Sequence, residues 1–144
     1  MEIITKNTEQ TENVGKTLAL SLMENNRHPA FIALFGEMGV GKTAFVRGFC
    51  SAIDAYGIKS PTYTIVNEHN KGKLPVSHFD MYRVESEDDL ISIGYYDYLK
   101  KDGFCLCEWS ENIEEFLPDA AIRVTISRTQ NDEEERIINI EDCI

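Results

Sequence analysis

The fold is decided by the segment Gly36-Glu37-Met38-Gly39-Val40-Gly41-Lys42-Thr43, which fits the pattern G-x-x-x-x-G-K-[ST] at every fixed position. Glycines let the backbone curl so closely around a phosphate that successive N–H groups point at the anion, and the following helix adds its positive N-terminus. In this pattern Lys42 reaches the β- and γ-phosphates, and the hydroxyl of Thr43 binds Mg²⁺. The segment therefore predicts a site for a nucleoside triphosphate.

The residues on either side of this loop carry the required secondary-structure signals. Ala30 to Phe35 form a short continuous apolar run, which is typical of a buried parallel strand. Lys42 to Ala55 follow with apolar residues at helical spacing, namely Phe45, Val46, Phe49 and Ile53. The order of strand, glycine loop and helix favours a phosphate-binding loop over the alternative, a glycine-rich turn in an unrelated α/β protein.

The rest of the chain predicts further strands and helices around this unit. The expected strands are Glu2–Thr5, a run leading into Val66, Leu74–Tyr82, Phe104–Cys107, Ala121–Ser127 and Arg136–Ile140. The expected helices are one that Thr8 or Thr11 caps and that ends near Asn25, one that starts near Ser86, Tyr95–Lys101, and one that Ser110 caps. The second and third strands should pair antiparallel, and the last two should form a hairpin. Residues 1–144 show no repeat or linker, so we expect a single α/β domain with a mixed sheet and helices on its faces.

Length and charge limit the functional classes. A chain of 144 residues can bury a real core, but it leaves little room for an added lid domain. The first residues are polar and no apolar run is long enough to cross a bilayer, so we expect a cytoplasmic protein without membrane contact. The formal net charge of −11 opposes a large nucleic-acid footprint, because phosphate backbones are bound by clustered Lys and Arg. A role in a nucleic-acid process would therefore depend on protein partners.

Two acids are candidates to complete a triphosphatase site, because Val76 to Phe79 run directly into Asp80 and Phe104 to Cys107 run directly into Glu108. Such a site needs a carboxylate near the magnesium and a group that positions water, and open α/β sheets place such groups where strands end. Glu108 ends the more apolar strand, so we assign it to the metal shell, and we assign Asp80 to positioning water or sensing γ-phosphate. Each could instead be a solvated strand-end acid. His78 could orient Asp80 or water, or could be a hydrogen-bonded structural residue.

The segment Ser60-Pro61-Thr62-Tyr63-Thr64 lies between the helix of the phosphate loop and the next strand. Nucleotide switches place a threonine that senses γ-phosphate and magnesium in this region, although an ordinary turn with proline at a strand entrance would explain the same residues. Asn70-Lys71-Gly72-Lys73 is superficially similar to the guanine-reading element N-K-x-D, but Lys73 stands where the acid would bind the base. Guanine specificity therefore lacks its usual reader.

Four motifs together make the chain resemble a known family. G-E-M-G-V-G-K-T, S-P-T-Y-T, H-F-D-M-Y-R and E-W-S-E occur in the order and at the separations of the bacterial TsaE (YjeE) family, and the resemblance covers essentially the whole chain. It implies a P-loop NTPase-like sandwich and an ATPase, using ATP and Mg²⁺, that is needed to make threonylcarbamoyladenosine beside the anticodon of certain tRNAs. It also implies TsaB and TsaD as protein partners, with tRNA met only through their complex.

The resemblance further implies roles for individual residues. By position, Lys42 and Thr43 match the family's phosphate and magnesium residues, and Asp80 and Glu108 match its essential acids. Thr62 matches the threonine of the switch loop, Thr11 matches the N-terminal nucleotide contact, and Trp109 matches the tryptophan of the E-W pair. Ser110 departs from the more usual E-W-P-E, but serine can still cap the next helix, so only the stiffness of the loop is affected.

Two rival classes would also explain a triphosphate site. A small-molecule P-loop kinase should bring an arginine-rich lid and an acceptor pocket, whereas the six arginines of this chain are scattered singly. A nucleotide-gated binding protein without productive hydrolysis could use Asp80 and Glu108 for ligand sensing, and nothing in the sequence separates it from an ATPase.

Overall fold

A computed structural model describes residues 1–57 and 65–142 of the chain. The strands in these residues are β1 (Glu2–Thr5), β2 (Ala30–Phe35), β3 (Val66–His69), β4 (Val76–Asp80), β5 (Phe104–Glu108), β6 (Ile122–Arg128) and β7 (Arg136–Glu141). The helices are α1 (Thr8–Glu24), α2 (Lys42–Ser51), α3 (Glu87–Ser92), α4 (Tyr95–Tyr98) and a 3₁₀ helix (Ser110–Phe116). No helix within the described ranges is long and apolar enough to span a membrane.

The strands form one mixed sheet in the order β1-β7-β6-β2-β5-β4-β3. At its centre, β2 runs parallel to β5 and β6, and β4 runs parallel to β5. The outer pairs are antiparallel, which confirms the pairing of β3 with β4 and the hairpin of β6 with β7. Because β2, β4 and β5 are parallel, their carboxyl ends meet at one edge of the sheet, where α/β proteins place their ligand sites.

The sheet separates two apolar cores, and β2 contributes to both because its side chains alternate between faces. Ile32 and Leu34 pack with buried residues of α1 and α2 on one face. Phe31 and Ala33 pack on the other face with buried residues of α3, α4 and the 3₁₀ helix. Helices therefore cover both faces of the mixed sheet, as the sequence predicts.

Helices α1 and α2 lie so close together that two of their residues have no room for a side chain. A Cβ atom built on Gly15 of α1 would lie 2.2 Å from the carbonyl oxygen of Phe45. One built on Gly48 of α2 would lie 1.8 Å from the carbonyl oxygen of Glu12. Real Cβ atoms do not come this near to backbone oxygens, so this packing requires glycine at both positions and fixes α2, whose first residues belong to the phosphate loop.

The structure corrects both predicted helix caps. The cap of α1 is Asn7, whose side-chain oxygen accepts the N–H of Gln10 at 2.9 Å, while Thr8 is the first helical residue and Thr11 lies inside the helix. Asparagine is among the best N-cap residues, since its short side chain reaches the free N–H groups of the first turn. Ser110 is the first residue of its helix, after Trp109 at the cap position, and its hydroxyl donates back to the carbonyl of Cys107 at 2.8 Å.

Candidate functional site

The glycine-rich loop connects the end of β2 to the start of α2, as predicted. Gly36, Gly39 and Gly41 have φ angles of 145°, 79° and 113°, in the left-handed region that favours glycine. Gly36 has a second constraint, because a Cβ atom there would lie 2.4 Å from the carbonyl oxygen of Ile126 on β6. The fixed glycines of the motif are therefore needed for the shape of the loop.

Two arginines of the hairpin formed by β6 and β7 hydrogen-bond to the backbone of this loop. The Nε of Arg136 donates to the carbonyl of Val40 at 2.8 Å, and the guanidinium of Arg128 donates to the carbonyl of Gly39 at 3.3 Å. The sequence gives no signal for these contacts, because the bonded residues are 96 and 89 positions apart. The hairpin thus stabilises the backbone of the phosphate loop.

Lys42 lies at the bottom of the loop and is only 4% exposed. Its ammonium group donates to the carbonyl of Gly36 at 2.5 Å and lies 3.7 Å from the centre of the Trp109 ring, a cation–π contact. Burial lowers the pKa of Lys42 from its ordinary value. Three nearby carboxylates oppose that shift, namely Glu111, Glu108 and Asp80. The site therefore pairs one buried cation with several acids.

Glu108 is brought to Thr43 by the end of β5. The hydroxyl of Thr43 donates to Oε1 of Glu108 at 3.1 Å. Glu108 is 4% exposed, and its Oε2 lies 2.5 Å from Nε2 of the fully buried His78. His78 therefore contacts Glu108 and makes no described hydrogen bond to Asp80, although it shares a strand with Asp80.

Asp80 stands beside Glu108 in the register of β4 and β5, but its surroundings differ. Its side chain is half-buried, and Oδ1 accepts the backbone N–H of Tyr82 at 3.0 Å. Burial raises the pKa of Asp80 above its ordinary value, while the hydrogen bond from Tyr82 acts in the opposite direction. Asp80 is therefore the less firmly held of the two acids.

These groups line one cavity of about 440 Å³. Its wall includes the predicted residues Met38, Gly39, Gly41, Lys42, Thr43, Asp80, Glu108 and Trp109. It also includes three residues that sequence reasoning missed, namely Thr8, Ala44 and Arg47. Arg47 carried a usable signal, because it follows Thr43 by one turn of α2 and so lies on the same side of the helix.

The other loop residues lie outside this cavity. Gly36 and Glu37 line a second cavity beside Trp109, where the N–H of Gly36 donates to Oε2 of Glu111 at 2.9 Å. Val40 is 1% exposed and packs into the core with α1 and α2. The sequence reasoning gave Glu111 no role.

Two further residues implied by the family resemblance remain predictions. The hydroxyl of Thr11 is buried and lies 2.9 Å from the hydroxyl of Thr5, while its methyl group points toward Gly41. Thr8, one turn earlier, is the residue of this helix that lines the cavity. Thr62 lies outside the described residues.

Together, the glycine loop between a buried parallel strand and a helix, and the Thr43–Glu108 pair beneath it, define an α/β protein of the P-loop class. A family model described as "Threonylcarbamoyl adenosine biosynthesis protein TsaE" matches residues 5–138. The chain belongs to the TsaE family, which confirms the resemblance given by its motifs.

Similar proteins agree in sequence and in structure. The chain is 37% identical to a tRNA threonylcarbamoyladenosine biosynthesis protein TsaE of Bacillus subtilis (strain 168) over 132 residues, 91% of this chain and 80% of the relative. It is 40% identical to the protein of the same name from Haemophilus influenzae over 114 residues, 78% of this chain and 72% of the relative. The crystal structure of YdiB from Bacillus subtilis matches with a TM-score of 0.75 and 32% identity, over 99% of this chain and 84% of that one. The P-loop-like α/β fold is thereby confirmed.

Proposed function

We propose that this chain is the component of tRNA threonylcarbamoyladenosine biosynthesis that binds and hydrolyses ATP with Mg²⁺. Its family membership supplies the pathway. The observation that carries the finer statement is the meeting of Lys42, Thr43 and Glu108 in one cavity beside the glycine loop. We further propose that residues 1–144 act as one domain, which the continuous sheet from β1 to β3 supports. We also propose that the protein works in the cytoplasm.

The loop and Lys42 would bind the phosphates. Gly39 and Gly41 have the backbone conformations that turn N–H groups toward an anion, and α2 begins directly after them. Lys42 is already directed into the loop, where its ammonium group hydrogen-bonds to one carbonyl and contacts one aromatic ring. Phosphate oxygens are stronger partners for a buried ammonium group than either, because their negative charge adds a coulombic attraction that a carbonyl or an aromatic ring lacks.

Thr43 and Glu108 would hold the magnesium, Glu108 directly or through water. Hydroxyl and carboxylate oxygens are the hard donors that Mg²⁺ prefers, and these two lie 3.1 Å apart. Within residues 1–57 and 65–142, no three His, Cys, Asp or Glu side chains are grouped to hold a metal. The Thr43 hydroxyl and the Glu108 carboxylate fit a magnesium that takes one or two protein ligands and completes its shell with phosphates and water. The ion, when bound, would neutralise charge on the phosphates.

Asp80 would position the attacking water or sense γ-phosphate. It lines the same cavity as Thr43 and Glu108, and its side chain is partly accessible. Its raised pKa brings it closer to the range in which a carboxylate accepts a proton usefully. We therefore keep Glu108 for the metal shell and Asp80 for the water.

The proposed partners are the TsaB and TsaD proteins, with tRNA met only indirectly. The net charge of −11 supports this arrangement, because a strongly acidic protein is poorly suited to binding a phosphate backbone by itself. An acidic surface is instead suited to a basic or apolar protein surface. No membrane contact is proposed.

The test is ATP turnover by the purified protein, measured as release of phosphate with and without Mg²⁺ and with and without TsaB and TsaD. We expect magnesium-dependent hydrolysis that increases when both partners are added. Transfer of phosphate to a nucleoside or a sugar would instead indicate a kinase. Tight ATP binding without any turnover in the presence of TsaB and TsaD would indicate a nucleotide-gated binding protein.

A further inference from the structure

His78 is a fully buried titratable side chain to which the proposed function gives no task. It lies on β4, and its exposed fraction is 0%. Nε2 lies 2.5 Å from Oε2 of Glu108, whereas Nδ1 is buried and has no hydrogen-bond partner among the described residues. Among the described residues, this ring therefore hydrogen-bonds to one carboxylate oxygen.

The direction of this hydrogen bond follows from the chemistry of the two groups. An ionised carboxylate only accepts hydrogen bonds, so the short contact with Glu108 requires a hydrogen on Nε2 of His78. A hydrogen on Nδ1 would be a buried donor without a partner, which is costly. A ring with its hydrogen on Nε2 and none on Nδ1 satisfies both conditions.

His78 and Thr43 also differ in the Glu108 oxygen that each of them mainly contacts. Oε2 is taken by His78, while the hydroxyl of Thr43 is nearer to Oε1, at 3.1 Å, than to Oε2, at 3.4 Å. A carboxylate held at one oxygen cannot rotate freely, so the other oxygen keeps its direction toward Thr43.

We propose that His78 is a positioning residue, which holds the Glu108 carboxylate so that Oε1 is presented to Thr43 and the bound magnesium. This inference rests on the proposed function, since it gives Glu108 a metal to face. Removal of a group that hydrogen-bonds to a metal ligand typically lowers metal affinity by 10–100-fold.

His69 provides a matched control. It lies on the neighbouring strand β3, is partly buried, and also has a ring nitrogen without a described hydrogen-bond partner. No described hydrogen bond joins it to Glu108. Replacing His69 therefore tests the loss of a histidine from this part of the sheet without removing the contact in question.

The experiment measures ATP affinity by calorimetry, in Mg²⁺ and in EDTA, for the wild type, His78→Leu, His78→Gln and His69→Leu. We expect His78→Leu to reduce the affinity gained from Mg²⁺ by about tenfold or more, and to change the affinity in EDTA by less than about twofold. His78→Gln should stay within about threefold of the wild type, because the glutamine amide can donate from nearly the same place. His69→Leu should match the wild type.

Three results would overturn the inference. One is an unchanged magnesium gain in folded His78→Leu, and another is a His78→Gln protein that behaves like His78→Leu. The third is a full effect of His78→Leu in a Glu108→Gln background, where a residue that acts through Glu108 has nothing left to position. Failure of the wild type to gain affinity from Mg²⁺ would instead count against the proposed function.

A measurement on the unmodified protein avoids any folding defect of the variants. The two ring nitrogens of a histidine are distinct, and long-range ¹H–¹⁵N correlation spectra are the measurement chosen to find which of them carries hydrogen. A hydrogen on Nε2 of His78 would support the inference, and a hydrogen on Nδ1 alone would overturn it.

Discussion

The carboxyl ends of β4 and β5 lie side by side and each carries an acid, yet the two acids are held very differently. Glu108 at the end of β5 is buried and bonded to Thr43 and His78. Asp80 at the end of β4 is half-buried, and one backbone N–H is its described hydrogen-bond donor. Position at a strand end therefore only brings an acid to the site. The number of donors around it decides whether it is fixed in place or left accessible for a ligand or water.

The largest effect is expected for Lys42, the cation that both acids face. Lys42→Ala should weaken ATP binding by roughly 100-fold, about 2.8 kcal/mol, because it removes the charged donor directed into the phosphate loop. Calorimetry with Mg²⁺–ATP measures this change. Lys71→Ala is the control, since it removes the same charge from a surface at another cavity. Near wild-type affinity in Lys42→Ala would contradict the assignment of the loop.

The next effect distinguishes the two acids directly. Glu108→Gln should raise the Mg²⁺ concentration needed for half-maximal ATPase by about tenfold, because the fixed metal-facing oxygen loses its charge. Asp80→Asn should lower turnover with less change in that requirement. Partner-stimulated phosphate release over a range of Mg²⁺ concentrations measures both.

Two outcomes would change these assignments. If Asp80→Asn shifts the magnesium dependence and Glu108→Gln changes only turnover, the two roles are reversed. If neither variant lowers partner-stimulated turnover by more than about threefold, ~0.7 kcal/mol of barrier, both acids are structural.

The smallest effect is on stability, and it should have opposite signs at the two strand ends. A carboxyl group whose pKa is raised by folding contributes stability that is present below its unfolded pKa and lost as the pH rises through its folded pKa. Ionised Asp80 therefore costs stability at neutral pH, so Asp80→Asn should raise the melting temperature there and lose this advantage in acid. Glu108→Gln should lower it, because a neutral amide is a weaker acceptor for Thr43 and His78. Thermal unfolding at pH 7 and pH 3 measures both, and equal shifts in the two variants would remove the distinction between the acids.

The parts of the site that follow from local spacing could be predicted from the sequence. The motif from Gly36 to Thr43 gives a strand, a loop and a helix in a fixed order, and apolar periodicity places Asp80 and Glu108 at strand ends. The greater burial of Glu108 also follows, because the four residues that precede it in β5 are all apolar.

The parts that depend on side chains far apart in the chain could not be predicted. His78 lies two residues from Asp80 on the same face of β4, but the parallel pairing with β5 also brings Glu108 within reach, and the ring hydrogen-bonds to Glu108. The hydrogen bond from Arg136 to the carbonyl of Val40 joins residues 96 positions apart, and neither segment has a sequence pattern that indicates it. The predicted cap of α1 was wrong for a local reason. Asn7, Thr8 and Thr11 are all acceptable cap residues, and the sequence alone does not determine at which of them the first turn begins.

The hydrogen bonds from the closing hairpin to the phosphate loop have a consequence for the order of events during synthesis. Ribosomes add roughly 5–20 residues per second. Arg136 is synthesised 96 residues after Val40, so on the order of 5–20 s pass before its hydrogen bond to the loop can form. The delay before β2 can pair with β6 is nearly as long. A nascent chain therefore carries its complete nucleotide motif well before it has the two strands, β6 and β7, that support it. Competence to bind nucleotide should then be acquired late, when the C-terminal hairpin closes onto the rest of the protein.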